Sequence, residues 1–461
     1  MSKVRKERVP VRKRPPAERI KDFDPVVIGY SEEDAVSEAR RCLECKEPFC
    51  TKECPIHIRI KEMIKAIAEE DFEKAFYIVK EDNPIPGITG RVCPQELLCE
   101  HVCALGKACE PVSIGKLEMF IADWARSKGV EVKLNIKDRP ERIAIIGSGP
   151  AGITCAYELR KTGYQVTIFE ALHKAGGVLQ YGIPSFRLPK DVVDYEISSL
   201  QKIGVKIVLN TVIGQNISFR ELQDSYDAIF IATGAGAPRF VGIEGEELNG
   251  VYSANEFLIR TVLMKAYRFP EYDTPVTRGS RVAVIGAGNV AMDAARCALR
   301  MGARDVYIIY RRTMEHSPAR VEEVEHAREE GVKFMELAIP KRIMGKDGWV
   351  AGIELLKARL GPPDSSGRPQ PIPTEESEVS EVDTVVEAIG TVPNRLFLDR
   401  IPEIEKDRWG AIKTDEKLMT NVKGIFAGGD AIRGNATVIQ AVEDGKNAAK
   451  AIHSYLLQAT R

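Results

Sequence analysis

The chain has 461 residues, which is enough for roughly three domains of about 150 residues each. Its 66 Lys and Arg residues nearly balance its 67 Asp and Glu residues, so the net charge of −1 gives no electrostatic reason to expect nucleic acid or an anionic membrane as a ligand. No apolar run reaches the roughly 18 residues of a membrane helix, and the basic N-terminus lacks the apolar stretch of an export signal, so we expect a cytoplasmic protein.

The N-terminal segment MSKVRKERVPVRKR is basic, and we expect a solvated tail there, with a docking arm for an acidic partner protein as the alternative. Eight of the ten cysteines lie between Cys42 and Cys109. Disulfides rarely persist in a reducing compartment, so metal binding is a better expectation for these cysteines than disulfide bonding. The other two, Cys155 and Cys297, fall inside predicted helices and are expected to be core residues.

Helical periodicity marks residues 55–82, which carry two successive sets of apolar positions: Ile60, Met63, Ile64 and Ile67, then Phe72, Ala75, Phe76 and Val79. The segment NPIPGITG (83–90) predicts a turn-rich break. Residues 113–129 predict a helix that Gly129 ends. The N-terminal third of the chain is therefore predicted to be a small helical domain around the cysteines.

Residues 141–170 show a strand, a glycine-rich turn, a helix and a second strand, and residues 280–313 repeat this pattern about 139 residues later. The long spacing indicates a duplicated nucleotide-binding unit rather than a short-period repeat. Residues 362–379 are rich in Pro, Ser and Glu and predict a surface excursion. Further short apolar strands end at 232–234, 388–390 and 425–430.

The first glycine turn follows the apolar strand IAII and opens a helix, which makes it a strong match to the dinucleotide-binding fingerprint. Backbone amides at the helix N-terminus would bind a pyrophosphate. The second strand ends at Glu170, whose carboxylate can accept hydrogen bonds from ribose hydroxyls. The predicted cofactor contacts in this turn are Gly147, Gly149, Pro150, Ala151 and Gly152.

The second glycine turn follows the strand VAVI, and its predicted nucleotide contacts are Gly286, Gly288, Asn289, Val290 and Ala291. No acidic residue stands at its ribose position, where Arg311 and Arg312 follow the second strand instead. Guanidinium groups can form bidentate hydrogen bonds with the 2′-phosphate of NADP, which a carboxylate would repel. We therefore predict NADP(H) at this site; the alternative is that both arginines face solvent and NAD binds.

The cysteines follow the spacing C-x2-C-x4-C-x3-C-P and then C-x5-C-x3-C. This pattern is similar to the ferredoxin run C-x2-C-x2-C-x3-C-P, in which the last cysteine serves a second cluster. A zinc site more often shows two well-separated C-x2-C pairs. Since redox cofactors are predicted downstream, the spacing favours two [4Fe–4S] clusters, with a zinc site and structural thiols as the alternatives.

Motifs along nearly the whole chain resemble the family of the glutamate synthase small subunit, which includes the N-terminal half of dihydropyrimidine dehydrogenase. They are CLEC…PFC…ECP, GRVCPQELLCEHVC, GSGPAG, GGVLQYGIPSFRLPK and IFAGGDAIRGNATVIQAVEDGKNAA. Within this family, RVPVRKRPPAERIKDFDPVVIGY and ACEPVSIGKLEMFIADWA are most similar to the large subunits of NADH-dependent reduced ferredoxin:NADP oxidoreductases. The resemblance implies a multidomain α and α/β fold, in which a helical two-cluster iron–sulfur domain precedes two nested Rossmann-like domains.

The resemblance also implies two sets of cluster ligands: Cys42, Cys45, Cys50 and Cys103 for one cluster, and Cys54, Cys93, Cys99 and Glu118 for the other. Glu118 stands where dihydropyrimidine dehydrogenase has a glutamine, and its negative charge is expected to lower the potential of its cluster. Cys109 departs from the family pattern; we expect a buried thiol, with replacement of Glu118 as the ligand as the alternative. His57 and His101 are expected to pack or to hydrogen-bond rather than to bind metal.

In this family the first dinucleotide site binds FAD. The implied further contacts are Gly429, Asp430, Thr437 and Gln440 near the last strand, and Gly177, Leu179, Gly182, Ile183 and Pro184 on the flavin face. The final helix would point its N-terminus at the flavin pyrimidine ring, where the dipole stabilises the negative charge of reduced flavin. Arg187 and Lys190 are cationic candidates near the flavin or the nicotinamide phosphate.

The expected domains are an iron–sulfur domain (1–138), a two-part FAD domain (139–272 and 386–461) and an NADP(H) domain (273–385). The implied activity is hydride transfer between NADPH and FAD, then one-electron transfer through two [4Fe–4S] clusters, in bifurcation among NADPH, ferredoxin and NAD. The implied partners are ferredoxin and a small FAD/iron–sulfur subunit that handles NAD(H), in a hetero-oligomer. The alternatives are a glutamate synthase subunit that feeds a larger subunit, and a non-enzymatic scaffold with vestigial sites.

Overall fold

The structure is a computed structural model that describes residues 5–132, 134–276, 279–364 and 367–459. Its N-terminal part is mainly helical and contains β1 (Arg12–Lys13), α1 (Pro16–Arg19), β2 (Val27–Gly29), α2 (Glu32–Ala39), α3 (Phe49–Glu53), α4 (Ile60–Ala68), α5 (Phe72–Asp82), α6 (Pro86–Val92) and α7 (Ile114–Lys128). Two short 3₁₀ helices, Gln95–Leu97 and Ala104–Lys107, lie between α6 and α7. The cysteine-rich segments connect these helices and pack on their shared apolar core.

The predicted break over 83–90 is confined to residues 83–85, between α5 and α6, and the prediction is wrong for residues 86–90, which begin α6. Pro86 occupies the first turn of the helix, where its missing N–H would have had no partner in any case. Gly90 faces α7, and a side-chain carbon at this position would lie 2.6 Å from the backbone nitrogen of Met119. Close packing against α7, which the local sequence does not show, therefore stabilises this helix.

The periodic segment 55–82 forms two helices, α4 and α5, in line with its two apolar sets. Glu70 lies between them with a left-handed φ of 63°, and Asp71 caps α5 by accepting a 3.2 Å hydrogen bond from the backbone N–H of Lys74. The helix predicted over 113–129 is α7, which Gly129 ends in the left-handed conformation with φ of 67°. Both helix predictions are therefore confirmed.

The basic N-terminal segment is fixed to the rest of the chain from residue 5 onward, so the expectation of a solvated tail is wrong for those residues. Arg8 pairs with Glu100 at 2.7 Å. Lys13 pairs with Glu329 at 3.7 Å, more than three hundred residues along the chain. Just after the segment, the buried guanidinium of Arg19 pairs with Glu330 at 2.8 Å. The segment therefore connects the helical domain with a distant unit; residues 1–4 lie outside the described residues.

Two nucleotide-binding units follow. The first contains β3 (Arg142–Ile146), α8 (Pro150–Lys161), β4 (Gln165–Phe169), α9 (Val178–Tyr181), α10 (Lys190–Lys202), β5 (Lys206–Val208), α11 (Phe219–Ser225), β6 (Ala228–Ile231) and β7 (Ala237–Pro238). The second contains β8 (Val251–Ser253), α12 (Ala254–Leu258), β9 (Arg281–Ile285), α13 (Asn289–Arg300), β10 (Asp305–Tyr310), α14 (Val321–Glu329), β11 (Lys333–Glu336), β12 (Ala338–Lys346), β13 (Trp349–Pro363), β14 (Pro369–Ser380) and β15 (Thr384–Glu387). The chain then returns through β16 (Thr391–Val392), α15 (Arg395–Leu398), β17 (Ile425–Ala427), α16 (Asp430–Arg433) and α17 (Val438–Ala459).

Each unit is built on a five-stranded parallel sheet whose central strand leads into a glycine turn. The strand order is β17-β6-β3-β4-β5 in the first unit and β8-β15-β9-β10-β11 in the second. Because β17 comes from the C-terminal end of the chain, the second unit is nested within the first, as predicted. β7 and β16 pair antiparallel where the chain passes between the two units.

The second unit begins earlier than the boundary expected at residues 272–273. β8 pairs in parallel with β15, with Tyr252 opposite Val386. Phe257 and Leu258 of α12 join the apolar core of the second unit. Strand pairing and core packing therefore assign both elements to the second sheet, although they precede the glycine turn that marks the unit in the sequence.

β12, β13 and β14 form an antiparallel sheet that packs beside the second unit. The segment 362–379, predicted to be a surface excursion, lies largely in β14, which pairs with β13 as far as Pro363 opposite Pro369. Most of β14 is exposed, so the prediction is correct for its location but misses its strand structure. Residues 365–366 at its tip lie outside the described residues.

Among the described residues, no helix combines the length and the apolar character that a transmembrane span requires.

Candidate functional site

Four cysteines meet at the surface of the helical domain, and they are the four predicted for one cluster. Cys42 follows α2, Cys50 lies on α3, and Cys103 precedes the second 3₁₀ helix. Burial raises the pKa of Cys50 to about 11, and the negative charges of Cys42, Cys103 and Cys45 act in the same direction. The four sulfur atoms therefore lie within electrostatic range of one another, and all four residues are only half-buried.

The second predicted ligand set lies deeper. Cys54, Cys93 and Cys99 are buried, and together with Glu118 they line one cavity. Cys54 ends α3, Cys93 ends α6, and Glu118 projects from α7, so three helices converge on this cavity. The rest of its lining is mostly apolar, including Ile58, Met63, Ile114 and Ile439.

Glu118 is held in position by two polar side chains. Thr89 Oγ1 and Asn83 Nδ2 both donate to its Oε1, at 2.7 Å and 2.8 Å. Burial raises the pKa of Glu118 to about 7, although these two hydrogen bonds oppose the shift. Within the described part of the chain no hydrogen bond reaches Oε2, so this oxygen can face the cavity as a ligand.

The donor set fits an iron–sulfur cluster. Thiolates with one carboxylate, arranged around a cavity with an apolar lining, match the ligand chemistry of such clusters. Across residues 5–132, 134–276, 279–364 and 367–459, no group of three or more His, Cys, Asp or Glu side chains is close enough together to hold a single metal ion. The candidate ligands instead stand around a shared cavity, as the ligands of a multi-atom cluster do.

The remaining sulfur and imidazole groups lie apart from this cavity. Cys109 is half-buried against the apolar core and does not line it. His57 and His101 are exposed, and His57 Nδ1 lies 3.4 Å from the carbonyl oxygen of Thr51. Cys155 and Cys297 are fully buried in α8 and α13, as expected of core residues.

The first glycine turn has the geometry of a dinucleotide site. Gly147 has φ of 104°, and a side-chain carbon there would lie 2.4 Å from the carbonyl oxygen of Ala232 on the neighbouring strand. Among the residues that the structure describes, no atom lies within 4 Å of such a carbon at Gly149, so this face of the turn is open to a ligand. Pro150, Ala151 and Gly152 form the first turn of α8, whose amides point toward this opening.

Glu170 lies beside this turn at the end of β4. Its Oε2 accepts hydrogen bonds from the backbone N–H and the hydroxyl of Ser148, at 3.0 Å and 2.5 Å. Ser148 Oγ in turn accepts from the backbone N–H of Gly176 at 2.9 Å. Sequence reasoning missed the role of Ser148, which joins the carboxylate to the loop that carries Gly177.

The loop predicted for the flavin face packs directly on the glycine turn. A side-chain carbon at Gly177 would lie 2.9 Å from the Cα of Gly149. Leu179 is buried and Ile183 nearly so, and Gly182 and Pro184 complete the loop. Lys190 donates to the carbonyl oxygens of Leu179, at 2.7 Å, and of Ile183, and burial lowers the pKa of Lys190 to about 7.

Arg187 and Lys190, the cationic candidates near the flavin or the nicotinamide phosphate, both form internal interactions. Lys190 holds the 179–183 loop, as described above. Arg187 is buried and pairs with Asp293 at 2.6 Å and with Glu323 at 3.0 Å, both in the second unit. The two cations therefore stabilise the loop and the contact between units.

The C-terminal segment brings Asp430 to the same opening. Burial raises the pKa of Asp430 to about 6, while a hydrogen bond from the backbone of Ala436 opposes the shift. Burial raises the pKa of Tyr181 to about 12, and the charges of Glu170 and Asp430 both contribute. Tyr181 thus lies within electrostatic range of residues from the two ends of the first unit.

The start of α17 is organised by its own side chains. Gln440 Oε1 accepts hydrogen bonds from the backbone N–H and the hydroxyl of Thr437, at 3.0 Å and 2.9 Å. Behind this turn, Asp444 accepts from the backbone N–H of Gly429 at 2.7 Å and from Arg433 at 2.6 Å. Asp444 therefore fixes the backbone that precedes Asp430.

The second glycine turn repeats the geometry of the first. Gly286 has φ of 120°, Gly288 precedes α13, and Asn289, Val290 and Ala291 form the first turn of that helix. Val290 is exposed at the open face. This arrangement leaves amides at the N-terminus of a 12-residue helix for a second nucleotide.

Arg311 and Arg312 have different environments. Arg311 is exposed, and in the described part of the chain no acceptor or carboxylate pairs with it. Burial lowers the pKa of Arg311, and repulsion from Arg312 and Arg368 adds to the effect. Arg312 is buried and donates to Asp364 at 2.5 Å and to the carbonyl oxygen of Pro369 at 2.7 Å.

Of the predicted pair, Arg311 is thus the one whose side chain is exposed, whereas Arg312 holds the hairpin between β13 and β14. Arg368 adds a third positive charge near this position. Sequence reasoning missed Arg368 because it comes from that hairpin rather than from the nucleotide fingerprint.

Comparison with protein families identifies both parts of the chain. Residues 19–130 match the family described as dihydropyrimidine dehydrogenase domain II, 4Fe-4S cluster. Residues 141–445 match the pyridine nucleotide-disulphide oxidoreductases. The chain belongs to the pyridine nucleotide-disulphide oxidoreductase family. It is an NADPH-dependent oxidoreductase that carries an additional iron–sulfur domain at its N-terminal end.

Curated relatives place this oxidoreductase with the glutamate synthase small chain, as its motifs predicted. It is 36% identical to the glutamate synthase [NADPH] small chain of Azospirillum brasilense over 96% of this chain and 93% of that one. It is 39% identical to the NADP(+)-dependent formate dehydrogenase subunit beta of Moorella thermoacetica over 89% of this chain, but spans only 60% of that protein. The NADPH-Fe(3+) oxidoreductase subunit beta of Geobacter sulfurreducens is 35% identical over 88% of this chain and 63% of its own length.

Solved structures agree on the fold of this oxidoreductase. FprA from Mycobacterium tuberculosis, in complex with NADPH, superimposes with a TM-score of 0.60 at 23% identity, over 70% of this chain and 86% of FprA. Thioredoxin reductase from Lactococcus lactis gives a TM-score of 0.52 at 22% identity, over 69% of this chain and 99% of that one. At this identity the likeness shows the fold alone.

Proposed function

We propose that the chain transfers hydride between NADPH and FAD and passes electrons one at a time through two [4Fe–4S] clusters to a partner subunit. The observation that carries this proposal is that the two predicted ligand sets, one buried and one near the surface, lie in the same chain as two open glycine turns. When bound, FAD accepts a hydride from NADPH and releases single electrons, which the clusters carry onward.

The first unit supplies the proposed FAD site. The amides at the start of α8 bind the pyrophosphate, and Glu170 accepts from the ribose hydroxyls once the Ser148 hydrogen bonds rearrange or are shared. Asp430 faces the ribityl chain, and the amide end of α17 near Thr437 stabilises negative charge on the pyrimidine ring. The 177–184 loop covers the flavin and excludes water from the reacting face.

The second unit supplies the proposed NADP(H) site. The amides of Asn289 and Val290 bind the pyrophosphate, and Arg311 binds the 2′-phosphate through charge-assisted hydrogen bonds. No general acid or base is required, because hydride transfer depends on orientation of the two rings. The protein's task is therefore to align the nicotinamide with the flavin and to keep solvent away.

The two ligand sets differ in exposure, and this difference supports a direction for the electron path. The cluster held by Cys54, Cys93, Cys99 and Glu118 is enclosed, whereas the cysteines of the other set are half-buried near the surface. Electrons would pass through the enclosed cluster and leave at the surface cluster. Such an exit suits a redox partner protein rather than a small diffusible substrate.

For the partner we propose ferredoxin together with a small FAD/iron–sulfur subunit that handles NAD(H), in a bifurcating hetero-oligomer. Similarity over almost the full length of a glutamate synthase small chain favours a second candidate, a subunit that feeds electrons to the large subunit of that enzyme. NADPH-dependent reduction of ferredoxin that requires NAD and the small flavoprotein would support the first. Formation of glutamate from glutamine and 2-oxoglutarate after addition of a large subunit would support the second and contradict the first.

A further inference from the structure

One arginine connects the second glycine turn with the enclosed ligand set. Arg320 directly precedes α14, and its backbone N–H donates to Asn289 Oδ1 at 3.0 Å. Asn289 is the first residue of the helix that opens the proposed NADP(H) site. The backbone of Arg320 is thus fixed to the turn that a nucleotide would occupy.

The Arg320 side chain extends in the other direction, into the helical domain. Its Nη1 donates to the carbonyl oxygen of Arg91 at 2.8 Å, and its Nη2 donates to Gln95 Oε1 at 3.1 Å. Its Nε lies 3.2 Å from a carboxylate oxygen of Glu96. Arg320 is only 5% exposed, so its side chain is screened from solvent. Its position is fixed by these three partners in the cluster domain and by Glu322 of α14, 3.2 Å away.

The contacts continue from Gln95 to the ligand carboxylate. Gln95 lines the cavity, and its Nε2 donates to the carbonyl oxygen of Thr89 at 3.1 Å. The hydroxyl of Thr89 donates to Glu118 Oε1 at 2.7 Å. Gln95 and Thr89 are both buried. Four hydrogen bonds therefore connect Asn289 to Glu118 through Arg320, Gln95 and Thr89.

The charge of Arg320 lies beside the enclosed ligand set. Its hydrogen-bond partner Gln95 lines the same cavity as Cys93 and Cys99. A fixed cation beside a cluster stabilises the more negative, reduced state, and a buried cation does so more strongly than an exposed one. Movement of the turn at Asn289 would move this cation relative to the cluster.

We propose that Arg320 is a positioning residue that couples nucleotide binding at the second glycine turn to the reduction potential of the enclosed cluster. The inference rests on the proposed function, since it requires both a nucleotide and a cluster. It assigns to Arg320 a role that neither the dinucleotide fingerprint nor the cysteine pattern indicates. By linkage, reduction of the cluster changes the affinity for NADP⁺ by the same factor as NADP⁺ changes the reduction equilibrium.

The test uses the complete chain, purified without oxygen and reconstituted with iron, sulfide and FAD. Redox titrations followed by EPR, with and without NADP⁺, measure the potential of each cluster, and iron content is measured in parallel. In the unchanged protein we expect NADP⁺ to shift the potential of one cluster. The Kd for NADP⁺ is then expected to differ between the oxidised and reduced forms.

Two variants separate charge from geometry. Arg320→Gln removes the cation and the donor fork. We therefore expect a lower potential for one cluster and equal Kd values for NADP⁺ in the oxidised and reduced forms of the protein. Arg320→Lys keeps the charge without the fork, so we expect a nearly unchanged potential and a lost NADP⁺ response. As a control, Lys13→Gln removes another cation between the helical domain and the second unit, which pairs with Glu329 at 3.7 Å rather than with a partner of Arg320, and should retain the response.

The proposal would be overturned if Arg320→Gln, with full iron content, kept the wild-type cluster potential and NADP⁺ response. It would also be overturned if NADP⁺ did not shift either cluster potential in the wild-type protein. If Arg320→Gln fails to retain iron, Arg320→Lys decides, because a wild-type response in that variant also overturns the coupling. Absence of iron or flavin from the unchanged protein would instead contradict the proposed function. The two failures are therefore distinguishable.

Discussion

Thr89 Oγ1 donates a hydrogen bond of 2.7 Å to Glu118 Oε1, from one helix to another across the wall of the enclosed cavity. Asn83 adds a second donor to the same oxygen. The carboxylate is therefore oriented before any cluster binds, and its other oxygen is left toward the three thiols. This preorganisation makes Glu118 a better candidate for the fourth ligand than Cys109, which lies outside the cavity.

Glu118→Gln should raise the potential of one cluster and leave the other unchanged. The amide can still accept the hydrogen bonds of Thr89 and Asn83, but it removes a negative charge from the ligand set, which favours the reduced state. Glu118→Ala removes the ligand itself and should lower the iron content by one cluster. EPR-monitored titration and iron analysis measure the two effects.

Glu100→Gln is the matched control for this prediction. Glu100 is also buried, lies next to Cys99 in sequence, and pairs with Arg8 rather than facing the cavity. Its substitution should retain the iron of both clusters. Unchanged potentials in Glu118→Gln, or equal iron loss in Glu100→Gln and Glu118→Ala, would rule against a ligand role for Glu118.

Cys109→Ser should keep both clusters, whereas Cys54→Ser should lose one. Cys54 lines the enclosed cavity, whereas Cys109 packs against the apolar core and does not line the cavity. The measurement is iron and sulfide content per chain after anaerobic reconstitution, with EPR to count distinct clusters. Loss of a cluster in Cys109→Ser together with retention in Glu118→Ala would favour Cys109 as the ligand.

Arg311→Ala should raise the apparent KM for NADPH by about tenfold or more, which corresponds to the loss of a charge-assisted hydrogen bond of roughly 1.5–3 kcal/mol. The KM for NADH should change little, because NADH has no 2′-phosphate. Steady-state reduction of an artificial acceptor with each nucleotide measures both values. Equal changes in the KM values for NADPH and NADH would mean that Arg311 does not bind the 2′-phosphate.

Two other arginines serve as comparisons for Arg311. Arg304 is exposed in the same unit and pairs with Asp305 at 3.0 Å, so Arg304→Ala should leave both KM values unchanged. Arg312→Ala should act chiefly on stability, because its guanidinium is buried and holds the hairpin through Asp364. A larger NADPH effect in Arg312→Ala than in Arg311→Ala would reverse the assignment.

Glu330→Gln should lower the free energy of unfolding by roughly 3–5 kcal/mol, since removal of one partner leaves buried charges unpaired. The carboxylate has no exposed surface and contacts Arg19, Arg296 and Arg300 at 2.8 Å, 2.9 Å and 2.6 Å. Chemical denaturation followed by far-UV circular dichroism measures the change. Glu329→Gln is the matched control, because Glu329 pairs with the same Arg19 but is largely exposed.

The same carboxylate predicts a pH dependence of stability. Burial alone would raise the pKa of Glu330, but hydrogen bonds from Arg300 and Arg296 outweigh it and lower the pKa to about 2, from 4.5 in an unfolded chain. A depressed pKa contributes stability that is fully present above the unfolded value and is lost as pH falls toward the folded value. Stability should therefore fall between about pH 5 and pH 2, and this fall should be smaller in Glu330→Gln. An equal fall of the free energy of unfolding with pH in the wild-type protein and in Glu330→Gln would contradict this role of Glu330.

Local spacing was sufficient for the parts of the site that a single segment builds. The glycine turns at Gly147 and Gly286 are recognisable because the tight turn and the helix start occupy consecutive residues. The grouping of Cys54, Cys93 and Cys99 came from a family resemblance, and the structure places these residues around one cavity. The nesting of the two sheets was likewise implied by the family resemblance, and β17 confirms it.

The rest of the site depends on residues that are distant in sequence. Arg311 and Arg312 are adjacent residues of the same type. Arg312 is the buried one because it bonds to Asp364, 52 residues later, and to the carbonyl oxygen of Pro369. Arg187 is paired by Asp293 in another unit, which no local pattern reveals. The helix at 86–92 is stabilised by contact with Met119, although its Pro and Gly content predicted a break. Long-range packing thus decided these cases against local propensity.

The central claim is that one chain carries electrons from NADPH through a flavin to two iron–sulfur clusters. Anaerobic stopped-flow mixing of the reconstituted protein with NADPH, followed by flavin absorbance and by EPR of freeze-quenched samples, tests it most directly. We expect NADPH to bleach the flavin band and a signal from reduced cluster to follow, in a protein that contains iron and no zinc. A protein that contains zinc instead of iron, or a flavin that NADPH leaves oxidised, would contradict it.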